Sequence, residues 1–170
     1  MSEFNTLQDL LVAQLEDIFD AEHQLIQALP AMAKAASDED LSEAFVNHLA
    51  ETMEQVGRLR EVFQLVGGIA QRRSCKAMAG LIRESEEVLH CSGDRDVQDA
   101  ALIAAAQRIE HYEIAAYGTV KAFAKRLGYN DAADLLDKTL DEEGNADKKL
   151  NKLAEGGMMT RSINKDAAKT

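Results

Sequence analysis

The chain has almost nothing that breaks a helix and little that builds a sheet: one proline, no tryptophan and 5% aromatic residues among 170. Alanine, leucine and charged residues fill the rest, a composition that favours helix over strand. Two cysteines, Cys75 and Cys91, are too few for a disulfide framework and read as reduced thiols of a cytoplasmic protein. No run of about 18 apolar residues is present to span a bilayer, and the start, Met-Ser-Glu-Phe-Asn, has no charged-then-apolar export pattern, so no membrane partner is expected. Clustered cations are also scarce. The net charge of −11 argues against a nucleic-acid partner, whose phosphates require concentrated positive charge. The small groups Arg72-Arg73-Lys76 and Arg161, Lys165, Lys169 read as solvated loop and terminus.

What is present is helical periodicity. Apolar content of 46% suffices for one domain with a core. Leu7, Leu11, Gln14, Ile18, Glu22, Leu25, Leu29 and Met32 recur at steps of three and four, one face of a helix. Pro30 falls inside that pattern and predicts a kink. Ser37-Asp38-Glu39-Asp40 reads as a turn and cap for a second helix through Leu41, Phe45, Leu49, Thr52, Val56, Leu59 and Phe63, ending at Gly67-Gly68. A crossover with a short helix around Met78, Leu81, Ile82, Val88 and Leu89 follows, up to Gly93. A third long helix starts near Asp94 or Asp96 and carries Ile103, Ala106, Glu110, Glu113, Tyr117, Val120 and Ala124 on one face. Asn130-Asp131 is read as the cap of a fourth, with Leu136, Leu140, Glu143, Asp147 and Leu150 inward and a stop at Gly156-Gly157. Two hairpins joined by one long connection describe an all-α, ferritin-like four-helix bundle over 1–157, with 158–170 as a flexible tail.

The seam of that bundle carries carboxylates. Glu22 and Glu110 are offset by 88 residues, and Glu51 and Glu142 by 91, so the two hairpins repeat one arrangement. A lone glutamate at the edge of an apolar stripe commonly reaches solvent. Several facing one another inside a core would repel, and each costs several kcal/mol to desolvate. Two divalent cations offset four such charges, and oxygen-rich sites suit iron or manganese, with zinc also accommodated. The candidate ligands are Glu22, Glu51, Glu110, Glu113, Glu142, Glu143, His48 and Asp147. Aligned leucines pair Glu51 with Glu142, whereas the fourth helix's own stripe points Glu143 and Asp147 inward. Neighbours on a helix diverge by about 100°, so one of Glu142 and Glu143 binds directly, with Glu143 preferred.

The histidines depart from the usual two-metal bundle, which carries Glu-x-x-His on two helices. Here those positions read Glu51-x-x-Glu54 and Glu142-x-x-Asn145, while His48 precedes Glu51 by one turn, as a ligand or as a group orienting one. His23 and His111 each follow a glutamate of the seam and point elsewhere. Tyr112 and Tyr117 lie near Glu110, as packing residues with bonded hydroxyls or as redox neighbours. Gly144 marks a distortion or a close backbone approach.

Ala-Glu22-His-Gln-Leu, His48-Leu-Ala-Glu51-Thr, the stretch from Asp99 through Gly118, and Leu140-Asp-Glu-Glu together resemble the YciE/YciF-type ferritin-like family over about residues 4–155. The resemblance implies a bundle akin to rubrerythrins and bacterioferritins, a homodimer and a link to bacterial stress responses. Glu110-x-x-Glu113 matches the Glu-x-x-Glu of rubrerythrin-like sites. Two functions follow from these readings. One is a stress protein that binds iron and oxidises it with oxygen or peroxide, with Glu22, Glu51, Glu110 and Glu143 holding the ions and Glu113 moving between bound and unbound positions. The other is a non-enzymatic structural or interaction dimer whose carboxylate site is idle or empty. No storage shell is expected, because no surface for the extra interfaces is identifiable.

Overall fold

The computed structural model describes residues 4–157 and 161–169, arranged as helices α1 (Leu7–Ala35), α2 (Glu39–Leu65), α3 (Lys76–Leu89), α4 (Arg95–Arg126), α5 (Asn130–Glu155) and α6 (Ile163–Ala167). Local chemistry sets the boundaries. Thr6 and Asp9 form a reciprocal capping box that opens α1. Asp38 accepts from the Leu41 amide at α2, and Asp94 from the amides of Asp96 and Val97 at α4. Gly67 and Gly128, with φ of 72° and 85°, turn the chain out of α2 and α4 in the left-handed region that glycine enters without strain.

Helix α1 contains Pro30 on its exposed face and runs on to Ala35. The cap of α5 and the surroundings of Gly144 differ from two of the readings above. The α5 cap residue is Tyr129 with no side-chain capping bond, so Asn130 and Asp131 already belong to the helix. A methyl group at Gly144 would meet nothing within 4 Å, so no backbone approaches there.

Four long helices make the bundle, and the apolar stripes bury two separate clusters. One gathers Leu25, Leu29 and Met32 of α1, Leu41 and Phe45 of α2, Leu102 and Ile103 of α4 and Leu150 and Leu153 of α5. The other gathers Leu11 and Leu15 of α1, Leu59 and Phe63 of α2, Tyr117 and Val120 of α4 and Ala132 and Leu136 of α5. Thus α2 and α4 run in one direction, and α1 and α5 in the opposite one. This is the ferritin-like arrangement that a long crossover permits. Burial of each large side chain contributes roughly 1.5–3 kcal/mol.

The crossover returns along the outside, with α3 against α1 and α4. Asp20 of α1 anchors it, accepting from the Cys75 amide at 2.8 Å, Arg72 Nε at 2.8 Å and Gln24 Nε2 at 2.6 Å. Asp99 of α4 closes the α1–α2 turn, taking the Ser37 amide and hydroxyl and the Asp38 amide at 2.8, 2.6 and 2.8 Å. Cys75 is buried and Cys91 exposed, both as free thiols.

Part of the segment read as a flexible tail is built into the bundle. Ile163 of α6 is 2% exposed within the first cluster, and Arg161 pairs with Asp96 at 2.7 Å. Gly156, at φ 78°, lets the chain double back so closely that a Cβ there would come within 2.8 Å of Ser162 Cβ. Residues 158–160 and 170 lie outside the described residues.

Candidate metal centre

Between the two apolar clusters lies a polar layer in which every long helix takes part. Glu22 comes from α1, His48, Thr52 and Gln55 from α2, Glu110 and Glu113 from α4, and Thr139 and Glu143 from α5. All are buried, with Glu22 and Glu143 at 0% exposure. One ligand atom from each of His48, Glu110, Glu113 and Glu143 falls within 4.8 Å of the others. His48 Nε2 stands 3.4 Å from Glu110 Oε1 and 4.0 Å from Glu143 Oε2.

The hydrogen bonding of this layer is incomplete. Glu22 Oε2, Glu110 Oε2, Glu143 Oε2, both oxygens of Glu113 and both nitrogens of His48 are buried without a hydrogen-bond partner. A buried polar atom left unpaired costs about 1–3 kcal/mol, and a charged one more. Oxygen and imidazole donors converging this closely in a dry interior suit iron, manganese or zinc.

Electrostatics describe the same frustration. Burial, followed by the Glu143 charge, pushes the Glu22 carboxyl up to about 8. Burial also lifts Glu110 and Glu113 well above the usual carboxylate range and raises Glu143. For His48, burial opposes the charged form, but Glu110 and the other carboxylates around it prevail and raise it to about 9. Without a cation, this layer retains protons that solvent-exposed carboxyls would have lost.

The other candidates lie elsewhere. Glu51, expected inside, has a side chain 51% exposed and faces His48 Nδ1 at 3.9 Å. It is one residue off the α2 stripe, and Thr52 occupies the interior instead. Of the ambiguous pair on α5, Glu143 points inward, while Glu142 turns to Arg58, accepting its two guanidinium nitrogens at 2.7 and 3.0 Å. Asp147 sits at the edge, 3.3 Å from His111 Nε2 and bonded to Asn151. His23 bonds back to the Phe19 carbonyl at 2.6 Å.

Sequence reasoning missed Gln55 and Arg58. Gln55 Nε2 donates to Glu143 Oε1 at 2.5 Å, and Arg58 Nη1 donates to Thr139 Oγ1 at 2.5 Å. Both were legible as polar residues on the inward side of α2, since Gln55 lies three residues after Thr52 and four before Leu59, and Arg58 three after Gln55 and four before Val62. Tyr117 is fully buried and donates its hydroxyl to Glu22 Oε1, while Tyr112 donates to Asp17 Oδ2 at 2.7 Å and meets Cys75 Sγ at 3.0 Å. A cavity of about 160 Å³ between α2 and α5 reaches His48 and Glu110 from the surface past Glu51 and Lys149. Phe45 and Leu150 form part of its apolar wall. Among the described residues, no helix is long and apolar enough to cross a membrane.

A family model described as a domain of unknown function, DUF892, matches residues 6–167. Protein YciF of Escherichia coli (strain K12) is 45% identical over 161 residues, covering 94% of this chain and 97% of that protein. The crystal structure of the E. coli stress protein YciF superposes with a TM-score of 0.86 at 47% identity, over 89% of this chain and 96% of that one. YcfI from Rhodopseudomonas palustris gives a TM-score of 0.85 at 44% identity, over 88% and 95%. A ferritin-like, diiron-carboxylate protein from Bacillus anthracis shares the fold at a TM-score of 0.67 and 16% identity, over 88% and 99%.

Proposed function

The chain belongs to the DUF892 family, and from that premise and its polar layer we propose a ferritin-like metal-binding protein of the bacterial stress response. It holds iron, with manganese or zinc as ions that the same donors suit. The observation that carries this reading is the set of buried carboxylate and imidazole atoms with no hydrogen-bond partner. Membership beside the E. coli stress protein YciF supports the physiological setting. A cytoplasmic homodimer is part of the proposal: Val46 and Met53, seven residues apart on one face of α2, are 55% and 60% exposed and give a second copy an apolar surface to cover.

His48, Glu110, Glu113 and Glu143 would hold the ion. With a redox-active ion bound there, these residues would hold a centre able to exchange electrons with peroxide or oxygen. The protein's share is to keep the site dry between two apolar clusters, to fix the His48 ring against Glu110 and to admit small molecules through the α2–α5 cavity. The second reading is a non-enzymatic structural dimer. Ala146 favours it, standing three residues after Glu143, where two-metal bundles place a histidine.

Anaerobic reconstitution with ferrous iron, followed by elemental analysis, tests the binding. Iron is expected to remain after desalting in the unmodified protein and to be lost in Glu110→Ala and Glu113→Ala variants that keep their helical circular dichroism. Unmodified protein that retains no iron, manganese or zinc would sink the metal reading. Peroxide consumption separates the two functions: a rate above the free ferrous control supports turnover, and a rate equal to it supports the structural dimer.

A further inference from the structure

We infer that the polar layer holds one metal ion rather than two, gripped by His48, Glu110, Glu113 and Glu143, with Gln55 and Tyr117 occupying the oxygens that a second ion would need. The inference rests on the metal-binding reading above and narrows it.

The spacing of the donors suits a single ion. Ligand atoms at about 2.0–2.3 Å from one ion are separated from each other by at most about 4.6 Å. The four donors lie within 4.8 Å of one another, so a single ion at their centre draws all of them in with only a small adjustment. Three carboxylates and an imidazole complete a four-ligand set there. The α2–α5 cavity touches the His48 and Glu110 edge of that set, which leaves one side accessible to a small molecule.

The opposite side of the layer, around Glu22, is occupied differently. In a two-metal bundle, carboxylates there bridge or close off the second ion, and an imidazole fills a terminal position. Here Glu22 Oε1 accepts the Tyr117 hydroxyl, and Glu143 Oε1 accepts the Gln55 amide at 2.5 Å. Thr52, the buried α2 residue between His48 and Gln55, spends its hydroxyl on the His48 carbonyl at 2.8 Å. The oxygens left over are Glu22 Oε2, the Gln55 carbonyl and the second oxygen of Glu113, all buried and without a hydrogen-bond partner. All three belong to residues already engaged elsewhere: Glu22 by Tyr117, Gln55 by Glu143, and Glu113 by the first ion. No imidazole is at hand either: His23 is bonded to its own helix, His111 is 69% exposed beside Asp147, and His90 caps α3. The hydrogen-bond donors Gln55 and Tyr117 therefore stand in for the second cation by supplying partial positive charge to the carboxylates on that side.

Manganese(II) is the probe, because its paramagnetic spectrum reports nuclearity independently of any turnover. Chelator-treated full-length protein is titrated with Mn2+ by calorimetry, dialysed and analysed for metal, and examined by electron paramagnetic resonance. One Mn2+ per chain with the hyperfine sextet of an isolated ion is expected. Glu22→Gln should keep that ion with its Kd changed by less than about threefold (well under 1 kcal/mol), while Glu110→Gln should weaken it by at least about tenfold. Two ions per chain with an exchange-coupled spectrum, or loss of binding in Glu22→Gln, would overturn the inference and leave the metal reading standing. No bound Mn2+, Fe2+ or Zn2+ at all would overturn both.

Discussion

Arg58 shows how a charge reaches the interior without a metal. Its side chain is 9% exposed, forks onto Glu142 and reaches Thr139, both on α5. Substituting alanine leaves Thr139 without its donor and takes from Glu142 its nearest cation, though Lys138 at 3.9 Å, the Gln55 amide at 3.2 Å and partial exposure to water remain. Arg58→Ala is therefore expected to lower stability by about 1–3 kcal/mol, read as a reduced urea midpoint with an unchanged slope. A midpoint equal to that of the unmodified protein would mean that the pair contributes nothing. This is also the scale at which sequence reading faltered. Glu22, Glu110, Glu113 and Glu143 were legible because each sits in register with leucines or alanines on its own helix. Glu51 was drawn inward by pairing leucines between hairpins, and a shift of one residue rotates a side chain by about 100°, enough to exchange it for Thr52. Gln55 and Arg58 find partners 81–88 residues away, a pairing that no local pattern displays.

Helix α2 presents two chemistries on opposite sides. Inward it sets His48, Thr52 and Gln55 into the polar layer, and outward it exposes Val46 and Met53. If the outer side is the dimer surface, Met53→Lys should yield monomers by light scattering at micromolar concentration while the helical signal is retained. Monomers in the unmodified protein at the same concentration would defeat the idea. The elements themselves were readable in advance: periods of three and four, acidic caps and the glycine stops place all four long helices and the crossover helix. The short α6 was not. Its five residues carry one buried side chain, Ile163, and a single apolar residue has no period.

Across the molecule, the protons held by the polar layer make stability depend on pH with an unusual sign. In the unfolded chain a glutamate ionises near about 4.3 and an imidazole loses its proton near about 6.5. In the folded, metal-free protein Glu22 is raised to about 8 and His48 to about 9, so between those limits the folded state binds more protons. Stability of chelator-treated protein should then fall as pH rises from roughly 5 to 9. Asp9 and Asp20, both depressed, act in the opposite sense, but their contribution is lost only as pH falls through the acid range below that window. Saturating Mn2+ should reduce or reverse the slope, because the ligands bind the ion only after losing their protons. Thermal melts across this range decide the matter: a melting temperature that is flat or rising with pH in the chelated protein would contradict the layer's buried charge. A different consequence follows from Asp99, whose carboxylate closes the turn at Ser37 and Asp38 from a helix about 60 residues further along the chain. During synthesis the first hairpin leaves the ribosome before its clasp exists, at a rate of about 5–20 residues per second. For those seconds the turn has only water to satisfy its amides, and the hairpin gains its final closure when the second half docks. The two halves should accordingly fold as one cooperative unit, with the repeat visible in the architecture but absent from the kinetics.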